Sequence, residues 1–128
     1  DMTLIEFPLN NIPNQPPEKY YGNKEYKIFL EFNNKKNVEI ALEKKATQML
    51  FRIYEGNGIA KYLIGIKDNG EAIGIDYTKT LNSLYFLIKI SLKIDAVIEK
   101  LRFYKGHYGY IFSAHVIKND IQNIGLNL

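Results

Sequence analysis

Segments with strand periodicity and helix periodicity alternate between residues 25 and 117, and this order constrains the fold most strongly. The strand-like runs are rich in apolar, aromatic and β-branched residues and cover residues 25–32, 59–66, 71–75, 96–104 and 108–117. Helix-like runs begin near Asn37 and near Thr78 or Thr80. The order β-α-β-β-α-β-β predicts a two-layer α+β domain, in which two amphipathic helices pack on one face of a mainly antiparallel sheet.

Both predicted helices carry an apolar stripe at helical spacing. On the first helix, the stripe consists of Leu42, Ala46, Met49, Leu50 and Ile53. On the second helix, it consists of Leu81, Leu84, Tyr85, Ile88 and Leu92. Because a helix on the surface of a domain buries its apolar stripe, we expect both stripes to face the sheet.

The stretch Tyr62–Ile75, which reads YLIGIKDNGEAIGI, predicts a β-hairpin. Its two apolar runs flank the sequence Lys67-Asp68-Asn69-Gly70, and Asn-Gly is a strong turn signal because both residues tolerate a positive φ. A second glycine-rich site, Gly56-Asn57-Gly58, is predicted to end the first helix, although phosphate binding there is an open alternative.

The ends of the chain differ in composition from its centre. Residues 1–24 contain all four prolines and are predicted to form an extended N-terminal arm or linker. Residues 25–118 form the predicted α+β domain. Residues 119–128 resemble the start of a further strand, which we interpret as the truncated beginning of a following domain.

Composition limits the chemistry that this chain can perform. The 128 residues include no cysteine, which excludes disulfides and thiolate metal sites. No apolar run is long enough to span a membrane and no signal peptide is visible, so we expect a cytoplasmic protein. The two histidines, His107 and His115, lack partners at metal-binding spacing, so we predict no metal site and no catalytic residue.

A polar stripe on the first helix is the main candidate for a binding surface. Lys44, Gln48 and Arg52 recur at intervals of four residues, and Lys45 lies beside them. The net charge of +3 permits contacts with phosphate groups. A solvated helix face, or a codon bias toward lysine, explains the same pattern and remains an open alternative.

Several short motifs occur in a fixed order between residues 16 and 75. They are Pro16-Pro17-Glu18, Gly22-Asn23-Lys24-Glu25-Tyr26-Lys27, Thr47-Gln48-Met49 with Arg52, Glu55-Gly56 with Gly58, Tyr62 with Ile64-Gly65, Asp68-Asn69-Gly70, and Gly74-Ile75. In order and spacing they resemble the N-terminal domain of the elongation-factor-like GTPases called GTP-binding proteins 1 and 2 and their archaeal relatives. Residues 76–117 agree with that domain only in pattern.

The resemblance implies a non-catalytic accessory domain of a translational GTPase, with residues 119–128 leading into the GTPase domain. The parent protein would bind and hydrolyse GTP with Mg²⁺, and this chain would hold no cofactor of its own. The implied partners are the GTPase core of the same chain and the ribosome, tRNA or other RNA, with no membrane. The candidate contacts are Lys44, Lys45, Gln48 and Arg52 on the first helix, with Lys67 and Asn69 at the hairpin.

Two alternatives stand beside this interpretation. The first is a protein-interaction module without affinity for nucleic acid. The second rests on Glu25-Tyr26-Lys27 and the hairpin from Ile64 to Gly74, which are also similar to domains of the Schlafen/AlbA type. Some of those domains bind nucleic acid or cut RNA.

Overall fold

The computed structural model describes residues 5–7, 10–32 and 37–119. It confirms the predicted α+β class, with two helices and an open, mixed sheet of six strands. In chain order the elements are β1 (Ile5–Glu6), β2 (Lys24–Lys27), α1 (Val38–Glu55), β3 (Ile59–Ile64), α2 (Tyr77–Lys93), β4 (Val97–Ile98), β5 (Leu101–Lys105) and β6 (Tyr110–Ile117).

The sheet combines antiparallel and parallel pairs in the order β1-β5-β6-β3-β2. β6 pairs antiparallel with β3 and β5, whereas β1–β5 and β2–β3 are parallel. The β2–β3 pair is joined by α1, because parallel neighbours need a crossover connection. The first predicted strand, residues 25–32, is shorter than expected and ends at Lys27.

The predicted strand 96–104 is divided into β4 and β5, and both parts pair with β6. Ile98 lies opposite Val116, whereas Arg102 lies opposite Ser113. Three residues of one chain segment therefore face two of β6, which is the arrangement of a β-bulge. The bulge contains Glu99 and Lys100.

Side chains alternate between two faces of the sheet, and each face has its own apolar cluster. On the helix side, Tyr62, Ile64 and Phe112 pack with residues of α1 and α2. On the opposite side, Leu63 and Ile111 belong to a smaller cluster. Both helices thus lie on one face, as the sequence predicts.

The two helices differ in how well the sequence predicts their buried side. α1 buries Leu42, Ala46, Met49 and Ile53, which confirms its predicted stripe. α2 begins after Asp76, whose carboxylate accepts the N–H of Lys79 at 2.8 Å, so the predicted threonine caps are wrong.

The apolar stripe of α2 faces outward, against expectation. Leu81, Tyr85, Ile88 and Leu92 are 47%, 55%, 42% and 67% exposed, and Leu84 is half-buried. The buried residues of this helix are Thr80, Ser83, Leu87, Ile90 and Ser91. One physical reason is a hydrogen bond of Ser83, whose hydroxyl accepts the buried N–H of Leu30 at 2.9 Å. This bond requires the Ser83 side of the helix to face inward.

The predicted hairpin has the expected turn but no returning strand. The N–H of Gly70 donates to the carbonyl of Lys67 at 2.8 Å, and Gly70 takes a φ of +96°. This bonding is that of a three-residue hairpin loop with glycine in its last position. The returning segment 71–75 keeps two backbone hydrogen bonds to the first run, from the N–H of Lys67 to Glu71 and from the N–H of Gly74 to Gly65. It forms no continuous strand, since the N–H of Ala72 donates to Asn14 and its one β-bridge joins Ile75 to Tyr110.

The described part of the N-terminal arm lies against the domain. β1 extends the sheet beside β5, and the N–H of Ile12 donates to the carbonyl of Lys105 at 3.2 Å. Further along, the N–H of Gln15 donates to the carbonyl of Gly70, and a Cβ on Gly70 would lie 1.8 Å from the Gln15 oxygen. The predicted boundary between residues 24 and 25 stays a prediction, and residues 120–128 of the predicted final segment lie outside the described residues.

Candidate functional site

A buried ion pair between α1 and β2 forms the base of the candidate site. Arg52 is 2% exposed and Glu25 is 4% exposed. The Nε of Arg52 donates to Oε1 of Glu25 at 2.8 Å. A buried carboxylate and guanidinium at this distance compensate each other's loss of hydration.

The remaining guanidinium donors of Arg52 bind the N-terminal arm. Nη1 donates to the carbonyls of Tyr21 and Gly22, and Nη2 donates to the carbonyl of Lys19, each at 2.9 Å. The carboxylate of Glu18 lies 3.8 Å from Nη2. We therefore assign Arg52 the role of fixing the arm against α1, because four of its five N–H groups make these hydrogen bonds. Its predicted contact with an external partner stays a prediction.

Three of the other predicted contacts meet at a pocket beside this ion pair. Lys44, Lys45 and Gln48 project from α1 over the edge of the sheet. The pocket has a volume of about 260 Å³ and is lined by Glu25, Lys27, Leu30, Lys44, Lys45, Gln48, Tyr62 and Ile90. We call this cavity the helix-side pocket.

The helix-side pocket has more positive than negative side chains. Its one carboxylate, Glu25, lies 3.5 Å from Nζ of Lys27 and also accepts from Nε2 of Gln48 at 3.2 Å. Burial lowers the pKa of Lys45, and the charge of Lys27 lowers it further, while Glu25 opposes this. A pocket in which lysines repel one another favours binding of an anion.

Tyr62 adds a hydroxyl group to the wall of the pocket. Its side chain is 3% exposed, and burial raises the pKa of the phenol, with a further contribution from Glu25. The phenol therefore stays protonated and can act as a neutral donor.

The structure does not bring the two predicted hairpin residues to this pocket. Lys67 and Asn69 lie at the 67–70 turn and are absent from the pocket lining. Nζ of Lys67 lies 3.4 Å from Oε1 of Glu71, and Oδ1 of Asn69 accepts the N–H of Glu71 at 2.9 Å. These contacts stabilise the turn, and a binding role for either residue stays a prediction.

The glycine turn after α1 uses its amides within the helix end. The N–H of Gly56 donates to the carbonyl of Arg52 at 3.0 Å, and that of Gly58 donates to Ile53 at 2.9 Å. These bonds close the last turn of the helix and leave both amides occupied. The sequence also lacks the Gly-x-x-x-x-Gly-Lys-Ser/Thr loop that holds nucleotide phosphates.

The described part of the chain also bears on metal binding and on membrane insertion. Residues 5–7, 10–32 and 37–119 contain no group of three or more His, Asp or Glu side chains arranged to hold a metal ion. Within the same ranges, no helix has the length and apolar character required to cross a membrane.

Sequence reasoning missed several residues that build the site. Glu25, Lys27 and Tyr62 line the pocket, and Glu18 joins the ion pair, yet none was predicted as a site residue. All four lie within the motifs that carry the family resemblance. The motifs therefore marked these positions, but only the fold brings them next to α1.

Similarity to known proteins places this geometry in a family context. No family model matches the chain. GTP-binding protein 2 of Mus musculus and GTP-binding protein 2 of Homo sapiens are each 39% identical to it over 93 residues, which is 73% of this chain. The chain is homologous to part of GTP-binding protein 2.

The similarity supports a relationship to GTP-binding proteins and agrees in that respect with the family resemblance of residues 16–75. The matched region is 15% of the length of each relative. The homologous region is thus a small part of GTP-binding protein 2.

Proposed function

We propose that this chain is a non-catalytic accessory domain of an elongation-factor-like GTP-binding protein that acts in translation in the cytoplasm. In this proposal the rest of the longer protein binds and hydrolyses GTP with Mg²⁺. The domain itself contacts RNA, such as tRNA or ribosomal RNA, or packs against the GTPase core of the same chain. The similarity to GTP-binding protein 2 carries the family part of the proposal.

The observation that carries the binding role is the convergence of Lys27, Lys44 and Lys45 on one pocket. Lysine side chains offer point charges to phosphate oxygens, and Gln48 offers an amide donor beside them. Such contacts hold a nucleic acid by its backbone and do not read its sequence.

Ribosome and RNA binding by the variant Lys44→Ala/Lys45→Ala tests this proposal. We expect weaker binding and a slope of log affinity against log salt that is shallower by about 1.4, because each lost contact with a single strand removes about 0.7. Arg52→Ala is unsuitable for this purpose, since it would release the arm and expose a buried carboxylate. Lys79→Ala/Lys89→Ala on α2 is the matched control, and equal losses in both variants would contradict the role of the pocket.

GTP binding tests separately whether the nucleotide is held by this chain or by the rest of the longer protein. A fluorescent GTP analogue is expected to bind the longer protein and not the 128-residue chain. Saturable, Mg²⁺-dependent binding to the chain alone would refute its non-catalytic role.

The exposed stripe of α2 favours a second candidate, a protein-interaction module. Ile88 and Leu92 border an apolar groove of about 470 Å³ between α2 and the 96–101 segment. Exposed apolar stripes of this kind dock partner proteins or neighbouring domains. If Leu92→Glu abolishes binding to the GTPase core while RNA binding is unchanged, this second function is the better description.

A further inference from the structure

The face of the sheet opposite the helices carries a line of basic side chains, four of them lysine or arginine and one histidine, that no predicted role uses. Lys24 of β2 lies opposite Lys61 of β3, and Lys61 lies opposite His115 of β6. Arg102 of β5 lies opposite Ser113 of β6 and extends this line. Lys100 on the bulge belongs to it because its charge acts on His115. We call these five residues the basic row.

Strand alternation fixes the direction in which the basic row points. Ala60 and Tyr62 of β3 lie in the helix-side core, so Lys61 between them points to the other face. The same holds for His115 between Ala114 and Val116. Since neighbouring strands are about 4.8 Å apart, four strands extend the row over roughly 14 Å.

The charges in the basic row are poorly neutralised. Among the described residues, no carboxylate lies within 4.0 Å of Nζ of Lys24, Lys61 or Lys100. The acidic groups that face the row are Glu6, which pairs with Arg102, and Glu99, which lies near His115.

Repulsion within the row is visible in its titrating groups. Burial lowers the pKa of Lys61, and the charges of Lys24 and Arg102 lower it further. Burial also lowers the pKa of His115, as do Lys61, Lys100 and Arg102, whereas Glu99 raises it. Bringing a bound anion to this surface would relieve that repulsion.

On the described strands, this face carries two tyrosines, Tyr26 and Tyr104, and both pack into the smaller apolar cluster. Tyr26 is 3% exposed, and its hydroxyl donates to the carbonyl of Pro16 in the arm. Tyr104 is half-buried and packs against the same cluster. A ligand of the basic row would therefore be recognised by its charge and spacing.

We infer that the basic row binds the phosphate backbone of nucleic acid, independently of base sequence. A polyanion of regular spacing complements lysine and arginine charges that extend from β2 to β5, and lysine contacts to phosphates position a nucleic acid without reading it. This inference goes beyond the proposed function, because the surface lies on the opposite side of the sheet from the helix-side pocket and needs no contribution from it.

Fluorescence anisotropy with a short labelled single-stranded RNA of mixed sequence, measured over a salt series, tests the inference. Lys24→Gln/Lys61→Gln is expected to weaken binding and to make the salt slope shallower by about 1.4. Lys79→Gln/Lys89→Gln on α2 removes the same charge and is expected to leave the slope nearly unchanged. A second row variant, Lys100→Gln on the exposed bulge, is expected to make the salt slope shallower by about 0.7. It tests the row separately in case the first variant misfolds.

His115 provides a readout at the surface itself. The imidazole titration of His115, followed by NMR, is expected to move to higher pH when the RNA is added, because phosphate stabilises the imidazolium. His107, on the exposed 105–109 turn, is the internal reference.

The inference is overturned if the row variants behave like the α2 control, or if the His115 titration does not move. Equally strong binding of polyglutamate or anionic vesicles through the same lysines would also contradict the assignment to nucleic acid. The variant Lys44→Gln/Lys45→Gln separates the two sites: its failure to weaken RNA binding contradicts the helix-side pocket alone.

Discussion

α1 and α2 lie on the same face of the sheet, yet α2 buries more small polar side chains than α1 does. α1 buries large apolar residues such as Met49 and Ile53, together with the charged Arg52. α2 buries Ser83 and Ser91 among its inward residues and exposes much of its apolar stripe. Apolar spacing therefore identified both helices but gave the orientation of only one.

The difference arises from what each helix has to satisfy. The inward side of α1 meets the apolar centre of the sheet, and the buried guanidinium finds a carboxylate and three carbonyls. The inward side of α2 meets the 28–32 segment, where the backbone N–H of Leu30 needs an acceptor. Because a buried N–H without a partner is costly, a serine hydroxyl there is worth more than another methyl group.

The largest expected effect comes from the charged residue on the buried side of α1. Arg52→Ala should lower the free energy of unfolding by about 3–5 kcal/mol, because it removes the buried guanidinium that neutralises the Glu25 carboxylate. Urea denaturation measures this change. The matched control is Lys44→Ala on the exposed side of the same helix, which should change stability by less than about 0.5 kcal/mol. Similar values for both variants would refute the structural role of Arg52.

A pair of identical substitutions compares the two apolar stripes directly. Ile53→Ala on α1 should cost about 2–5 kcal/mol, since Ile53 is fully buried and its loss leaves a cavity. Ile88→Ala on α2 should cost about 1 kcal/mol or less, since Ile88 is 42% exposed. Thermal and urea unfolding of the two variants test this order, and a larger loss at Ile88 would mean that its stripe is covered.

A second pair tests why α2 turns a polar side inward. Ser83→Ala removes the acceptor for the buried N–H of Leu30 and should cost about 1–3 kcal/mol. Ser91→Ala should cost less, because the Ser91 hydroxyl donates only to the carbonyl of Ile88 in its own helix. Hydrogen exchange at the Leu30 amide should accelerate in the first variant alone. Unchanged protection of the Leu30 amide would show that its bond to Ser83 does not set the orientation of α2.

The smallest expected effect concerns the surface contact that joins the helices. Nζ of Lys93 lies 2.7 Å from Oε2 of Glu39, and this bond lowers the pKa of Glu39 and raises the pKa of Lys93. A lowered folded-state pKa means that the unfolded state binds the proton more readily, so the contribution of Glu39 is present at neutral pH and is lost on acidification. The stability difference between the native chain and Glu39→Gln should therefore shrink as pH falls below about 4. A difference that persists in acid would contradict this assignment.

Much of the fold was predictable because local patterns and local chemistry agree. Apolar spacing and the glycines after Glu55 gave the limits of α1, and strand alternation gave β3 and β6 with small errors at their ends. The returning run after the hairpin bonds to Lys67 and Gly65 but forms no continuous strand. The N–H of Ala72 bonds to Asn14 of the arm, and Gly74 lies against the backbone of Gly109. Both partners are remote in sequence, so no local pattern could reveal them.

The candidate site was predictable only in part for the same reason. The spacing of Lys44 and Gln48 placed them on one side of α1, and the structure adds Lys27 and Tyr62 from two strands of the sheet. Arg52 follows the same spacing but turns toward Glu25, which lies 27 residues earlier in the chain. The basic row was invisible in the sequence, since Lys24, Lys61 and His115 become neighbours only through strand pairing.

The sequence by itself determined the α+β class, the existence of both helices, the turn at residues 67–70 and the lack of thiol chemistry, because these depend on residue type and spacing. The tertiary structure alone decided which side of α2 is buried, whether a lysine or arginine meets solvent or a carboxylate, and which cations share one surface. Those outcomes depend on the desolvation of polar groups by neighbours that are distant in the chain. The sequence pattern gives the type of side chain at each position but not the neighbour that compensates its burial.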